Sequence, residues 1–265
     1  MRLTVKLGGS LLEESASRRA LLGQVADLVR DGHEITLVHG GGRALSRRLS
    51  QLGIESHFVD GLRVTDAATL SVAVMVLAGE VNKMLVSEMG ETGCRALGIC
   101  GADAWLVRCE RLSLTGARRD LEYVGKPVSV NSEFFNMVLK WGLVPVISSI
   151  ALGWDFRLYN VNADQMASVC ARGSGAQALV YLTDVPGIMG EGETVLRHAR
   201  RTDIESLHAR GILTGGMLPK TTSCLEALDS GIESVFIVPG KSPEILKGVV
   251  SGKNKEGTQI HGNKD

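Results

Sequence analysis

The sequence predicts an α/β protein built on a mainly parallel sheet with helices on both faces. Three observations predict it. Short apolar runs alternate with helical patterns along the chain, which implies parallel strands joined by crossover helices. Two glycine clusters each follow an apolar run: Lys6-Leu7-Gly8-Gly9-Ser10 after Leu3-Thr4-Val5, and Val38-His39-Gly40-Gly41-Gly42 after Ile35-Thr36-Leu37. The chain of 265 residues has 32 glycines and few aromatics, which suits many tight turns in one large domain or two lobes around a shared sheet.

Each element follows from its local pattern. Leu3-Thr4-Val5 is a strand, and residues 19–30 place Leu21, Leu22, Val25, Leu28 and Val29 at helical spacing. Asp31-Gly32 ends that helix, residues 35–38 form the second strand, and residues 43–52 form a helix stopped by Gly53. After Asp60-Gly61-Leu62-Arg63-Val64-Thr65-Asp66, Thr65 is placed to cap a long helix over 67–89. That helix starts apolar almost all round, which predicts burial on two sides, one of them against a partner subunit. Residues 95–100 form a short strand. Residues 102–130 form a hairpin excursion with β-like runs at Trp105-Leu106-Val107 and Leu121-Glu122-Tyr123-Val124. Arg108, Arg111, Arg118 and Arg119 lie on it, either over the site or in solvent.

A helix over 131–141 and a buried strand over 143–150 follow. A short β pair near 155–158 leads to Tyr159-Asn160-Val161-Asn162-Ala163-Asp164, which opens a helix to residue 172 with Asn162 or a neighbour as its cap. Residues 178–182 are a buried strand ending in Thr183-Asp184-Val185-Pro186-Gly187. Thr202 and Glu205 have capping-box spacing for a helix that ends at Gly211. The segment Ile212-Leu213-Thr214-Gly215-Gly216-Met217-Leu218-Pro219-Lys220 runs into a helix to residue 229. A strand over 234–238, a helix from Ser242-Pro243-Glu244 and an edge strand over 257–260 complete the pattern.

The bulk chemistry narrows the function. Formal net charge is zero and the pI is about 7.0, so nothing suggests a nucleic-acid or membrane partner. No apolar run approaches the roughly 18 residues of a membrane span. The chain opens on a strand rather than on a signal segment. The five cysteines contain no C-x-x-C pair and suit free thiols in a reducing cytoplasm better than disulfides or zinc. A cytoplasmic location is expected.

The glycine clusters carry the chemistry. A strand, a glycine turn and a helix leave backbone N–H groups free to bind anions, phosphate above all. Lys6 adds a mobile positive charge. In a sheet of this kind ligands sit at the carboxyl ends of the strands, where both glycine turns, Thr183-Asp184 and the segment after Asn160 fall. Three other readings fail. Gly40-Gly41-Gly42-Arg43-Ala44-Leu45 lacks the third glycine of a dinucleotide loop. Gly248 to Lys253 is one residue short of a Walker loop and is followed by Asn254. His39-Gly40-Gly41-Gly42 fits an esterase oxyanion loop, but no G-x-S-x-G elbow supplies a nucleophile. The remaining pieces suit phosphoryl transfer without a covalent intermediate, which is mostly alignment and charge stabilisation. Lys6 and Lys220 are the candidate cations, and Asp164 or Asp184 the carboxylate that holds them.

Read together, K-L-G-G-S, V-H-G-G-G, G-L-R-V-T, L-A-G-x-x-N-K, N-V-N-A-D, L-T-D-V-x-G-I and T-G-G-M-x-x-K resemble, in that order, the motifs of the amino-acid kinase family. The likeness runs from Lys6 to about Ile260 and is nearest to the branch that phosphorylates N-acetyl-L-glutamate. It implies a three-layer α/β/α sandwich, with residues 1–175 binding the acyl substrate and dimerising, and residues 176–265 binding ATP. It implies that Lys6 and Lys220 stabilise the transferring phosphoryl group while Asp164 orients them. Gly41, Gly42, Arg63 and Asn160 would bind the acyl substrate. Gly8, Gly9, Thr183, Asp184, Val185, Gly187, Ile188, Met189, Ile212, Leu213 and Thr214 would line the nucleotide site. ATP would enter with Mg2+ held mainly by its phosphates, with no protein metal site.

The attacking carboxylate is already ionised, so no general base is required and His39 is expected to be a structural turn residue. The family often has proline after the triple glycine and asparagine three residues later; here Arg43 and Ser46 stand there. Some members carry an extra N-terminal helix that builds a hexamer and supports inhibition by arginine. Leu3 already lies in a strand, so the expectation is a homodimer through the 67–89 helix, without arginine feedback. Two other functions remain open: a kinase of carrier-bound aminoadipate or glutamate in the same family, and a non-catalytic nucleotide-binding sensor.

Overall fold

The computed structural model describes residues 1–113, 120–190, 194–213 and 215–262. Strand β1 (Arg2–Leu7) runs through a short 3-10 turn into helix α1 (Ser15–Arg30), and β2 (Glu34–His39) runs directly into α2 (Gly42–Gln51). A small hairpin of β3 (Phe58–Val59) and β4 (Leu62–Arg63) precedes one continuous helix over Ala67–Glu91. That helix comprises α3 (Ala67–Ala73), a wider π segment (Val74–Val81) and α4 (Asn82–Glu91). Next come β5 (Ala96–Cys100), β6 (Val107–Arg111), β7 (Val124–Val130), α5 (Ser132–Lys140), β8 (Val144–Ser148), β9 (Ile150–Gly153) and β10 (Leu158–Val161). The chain continues through α6 (Ala163–Ser174), β11 (Ala178–Thr183), β12 (His198–Arg200), α7 (Arg201–Ala209), α8 (Met217–Asp229), β13 (Ser234–Pro239), α9 (Ile245–Val250) and β14 (Thr258–His261).

Among the described residues the main sheet has the order β12-β14-β13-β11-β1-β2-β8-β5. Its pairs are parallel except β13 with β14, so the sheet is mainly parallel as expected. β11 sends Ala178, Val180 and Leu182 into one apolar core and Leu179 and Tyr181 into another, so both faces are covered and the layers are α/β/α. The register sets Lys6 between Tyr181 of β11 and Val38 of β2, at the carboxyl edge where the glycine turns begin.

The structure differs from the sequence reading in several places. The excursion over 102–130 is not a free hairpin. β6 and β7 pair antiparallel and close a four-stranded barrel with β9 and β10. Arg108 is therefore not solvated: its Nη2 donates to the carbonyl of Gly153 at 2.8 Å, and its guanidinium lies 4.6 Å from the Trp154 ring centre and 4.9 Å from that of Phe156. Arg118 and Arg119 lie outside the described residues. The cap of the long helix is Asp66, which accepts the Thr69 N–H at 2.7 Å; Thr65 instead donates to the carbonyl of Arg63. In α7 the reciprocal cap is made by Asp203, which accepts the Arg200 N–H, so the Thr202–Glu205 spacing was coincidental.

The helix over Ala67–Glu91 also corrects the expectation about apolar runs. Its 25 residues have a mean hydropathy of 1.5, long and apolar enough by composition to cross a membrane. Here it packs on the sheet through Val72, Val76, Leu77, Leu85 and Met89. Its outer face is only partly covered, with Met75 58% exposed.

Candidate active site

Three elements meet at one buried carboxylate. Asn162 caps α6, its side-chain oxygen accepting the N–H groups of Asp164 at 2.8 Å and Gln165 at 3.3 Å, as the sequence predicted. This cap fixes Asp164 in the first turn, facing the end of β1. Lys6 Nζ lies 2.9 Å from Asp164 Oδ1, and Lys220 Nζ, from α8, donates to Oδ2 at 2.8 Å. All three side chains are nearly buried. Gly8 leaves room for this arrangement: a β-carbon on it would push the Lys6 ammonium from its place. The Tyr181 hydroxyl donates to the Asp164 carbonyl at 3.1 Å and its ring lies 5.2 Å from Lys220 Nζ.

The electrostatics follow from burial and pairing. Burial favours the neutral acid of Asp164, but Lys6 and Lys220 outweigh it and bring the pKa down to about 2. Lys6 is lowered from its ordinary value: burial and the neighbouring Lys220 charge outweigh Asp164. The open alternative between Asp164 and Asp184 is thereby resolved in favour of Asp164 as the lysine holder.

Two cavities flank this centre. One of about 400 Å³ is lined by Lys6, Gly8, Gly9, Thr183, Asp184, Val185, Gly216 and Lys220, so the glycines and the 183–185 turn come together as expected. Asp184 faces the β1 turn: its Oδ2 accepts the Ser10 N–H at 3.0 Å, and it also pairs with the Ser10 hydroxyl. Gly9, at φ +59°, lies directly beneath that carboxylate, which a β-carbon would strike. The other residues expected on this side are placed differently. Ile188 and Leu213 bury their side chains in the core, with Ile212 packed against it, and Ile188 N–H donates to Thr258 Oγ1. Gly187, at φ 148°, packs on Val195 and Thr258, and Met189 bridges to Val195. Thr214 lies outside the described residues.

The second cavity, about 180 Å³, is lined by Gly40, Gly41, Gly42, Leu45, Phe58, Leu62, Arg63, Leu77, Val124, Ser149 and Asn160. Gly41, Gly42, Arg63 and Asn160 are thus brought together. Arg63 is held rigidly, by Ser46 Oγ at 2.7 Å, by the Ser56 hydroxyl, and by Phe58, whose ring centre is 4.7 Å from the guanidinium. Asn160 Nδ2 donates to Thr65 Oγ1, which donates to the Arg63 carbonyl, so the two expected substrate residues are linked. Sequence reasoning missed Ser46, Ser56, Phe58 and Thr65 as positioning groups; only Thr65 stood inside a motif. His39 is fully buried. Its Nδ1 lies 2.8 Å from the Gly40 carbonyl and its Nε2 3.1 Å from Asn82 Nδ2, so the ring is neutral with its proton on Nδ1. Burial, aided by the Lys83 charge, lowers its pKa to about 4. It braces the glycine turn, as expected.

A parallel α/β sandwich with two lysines on one carboxylate between two cavities defines a phosphoryl-transfer protein. The Amino acid kinase family matches residues 1–239, and the chain belongs to it. Its relatives include proteins named acetylglutamate kinase. One, from Acidobacterium capsulatum, is 45% identical over 98% of this chain and 99% of its own. Another, from Koribacter versatilis, is 44% identical over 98% of each. In fold it is similar to the crystal structure of smu.665 from Streptococcus mutans, with a TM-score of 0.82, 22% identity and 98% of each chain covered.

Proposed function

We propose that this protein phosphorylates the γ-carboxylate of N-acetyl-L-glutamate with ATP, giving N-acetyl-L-glutamyl 5-phosphate and ADP in arginine biosynthesis. The observation that carries the reading is Asp164 shared between Lys6 at 2.9 Å and Lys220 at 2.8 Å, between the two cavities. The acyl substrate binds in the smaller cavity, its α-carboxylate on the Arg63 fork and its polar groups at Asn160 and the N–H groups of Gly41 and Gly42. ATP lies against Gly8, Gly9 and residues 183–185, as its magnesium complex with the metal held mainly by the phosphates. Residues 1–175 then serve the acyl substrate, with Gly8 and Gly9 reaching across to the nucleotide, and residues 176–265 supply the rest of the nucleotide site.

The γ-carboxylate is ionised at neutral pH, so its oxygen attacks the γ-phosphorus directly. One O–P bond forms as the bond to the bridging oxygen breaks, and that electron pair leaves with ADP. Lys6 and Lys220 face the spreading negative charge, already oriented by Asp164, so little reorganisation is needed as the charge develops. His39 is neutral, buried and engaged with its own turn, and it takes no proton.

We also propose a homodimer through the helix over Ala67–Glu91, whose partly open apolar face supports it, and a cytoplasmic location, in keeping with buried free thiols at Cys94, Cys109, Cys170 and Cys224. The test is trapping of acyl phosphate by hydroxylamine, with ATP and either N-acetyl-L-glutamate or carrier-bound aminoadipate. Hydroxamate from N-acetyl-L-glutamate alone supports the reading. Hydroxamate only from the carrier-bound acid, or ATP binding without product, contradicts it.

A further inference from the structure

A bridge between Arg43 and Asp184 is not used by the roles above. Arg43 is the second residue of α2, directly after the triple glycine, and its Nη2 lies 3.6 Å from Asp184 Oδ2. With Gly9, Gly41, Gly42, Ser46 and Arg63 it lines a third cavity of about 440 Å³. Gly9 also lines the nucleotide-side cavity with Asp184, Lys6 and Lys220. The guanidinium therefore stands at the seam where the acyl side meets the phosphate side.

The contact is built to be exchanged. The Arg43 side chain is 62% exposed and Asp184 40%. A charge pair this open and this long contributes little and gives way readily to a stronger anion. Asp184 does not depend on it, because the Ser10 N–H and hydroxyl hold the carboxylate in place. A further cation besides the two lysines and the magnesium of ATP also has a use here. Asp164 already engages both lysines, and the charge of a transferring phosphoryl group spreads over three equatorial oxygens.

We propose that Arg43 is a further catalytic residue: it rests on Asp184 until both substrates are bound and then turns onto the transferring phosphoryl group. This rests on the phosphoryl-transfer reading given above. The planar guanidinium supplies paired N–H donors from the acyl-substrate side, a direction that neither Lys6 nor Lys220 covers.

The test compares wild type, Arg43→Ala and Arg43→Lys in the hydroxamate assay, with melting curves for each protein. Arg43→Ala is expected to lose kcat on the order of a hundredfold. Its KM for N-acetyl-L-glutamate should stay within about twofold, as for an interaction made in the transition state. Guanidinium ion at low, non-denaturing concentration should restore part of the Arg43→Ala rate and leave wild type unchanged. Arg43→Lys, which keeps the charge but not the fork, should lie between the two. A fall in kcat of less than about tenfold overturns the proposal. So does a larger fall that guanidinium does not restore and that follows a lowered melting temperature. If wild type is active and Arg43→Ala matches it, only this inference fails; if wild type itself forms no hydroxamate, the functional reading fails and takes this one with it.

Discussion

At the scale of single residues, Asp164 decides what the two lysines can do. A carboxylate with a pKa of about 2 is charged at every working pH, so it holds both ammonium groups in place. Replacing Lys6 or Lys220 by alanine should lower kcat by about 10² to 10³, the cost of one preorganised donor, as measured by hydroxamate formation. The lowered pKa of Lys6 adds a pH prediction. The protonated form is the useful one, so the alkaline limb of kcat/KM, which reports the free enzyme, should fall below the ordinary lysine value of 10.5. A limb at or above that value would contradict it. Lys6 and Lys220 were legible in the sequence because each stands beside glycines at the end of an apolar run or the start of a helix. Residue chemistry alone did not distinguish Asp164 from Asp184; only the family resemblance pointed to Asp164. The choice depends on which carboxylate faces β1, and only the path of α6 across the sheet determines that. Ser46 and Ser56 were illegible for a similar reason: they reach Arg63 only once α2 and the loop into β3 come together with β4.

At the scale of elements, the two glycine turns owe their shape to what packs on them. Gly41 has φ 156°, and a β-carbon there would lie 2.7 Å from Leu77 Cδ2 of the π segment. Gly41→Ala should therefore displace the turn and raise KM for N-acetyl-L-glutamate by about tenfold or more, with KM for ATP little changed. Steady-state kinetics with each substrate varied checks this. A second link holds the long helix to α1. Arg18 Nε and Nη2 bond both oxygens of Glu88 at 2.7 and 2.6 Å, with each side chain 7% exposed. Glu88→Ala leaves a buried guanidinium half-paired and should cost about 3–5 kcal/mol in denaturant unfolding. Most helices and the strands of the main sheet were legible, because alternating apolar runs and 3.6-residue periods are local signals. The four-stranded barrel was not. Its strands pair across distant segments, β6 with β9 and β7 with β10, and their short runs give no register. Arg108 was left open between the site and solvent, because the aromatic rings of Trp154 and Phe156 that cover it come from beyond β9.

At the scale of the whole molecule, two buried groups make the fold sensitive to acid. His39 has a pKa of about 4 in the fold against an ordinary 6.5. Below pH 6.5 the unfolded chain takes up a proton that the folded chain refuses, so stability falls towards pH 4 by about 3 kcal/mol. Asp164 contributes stability above its ordinary 3.8 and loses it as pH drops towards about 2, a further 2 kcal/mol or so. Urea midpoints should therefore decline steadily from pH 7 to pH 3, and His39→Asn should flatten the part above pH 4. Midpoints independent of pH would contradict this. The proposed dimer predicts a solution mass of two 28.3 kDa chains by light scattering, reduced to one by a charged residue in place of the exposed Met75.

The central claim is that a substrate carboxylate, drawn in beside Lys6 and Lys220, attacks the γ-phosphate itself. N-acetyl-L-glutamate labelled with 18O in its γ-carboxylate, incubated with ATP, enzyme and hydroxylamine, tests it most directly. Hydroxylamine attacks the acyl carbon and releases phosphate with the bridging oxygen, so mass spectrometry should find one 18O atom in the phosphate formed. Phosphate without the label would mean that water, not the carboxylate, was the nucleophile.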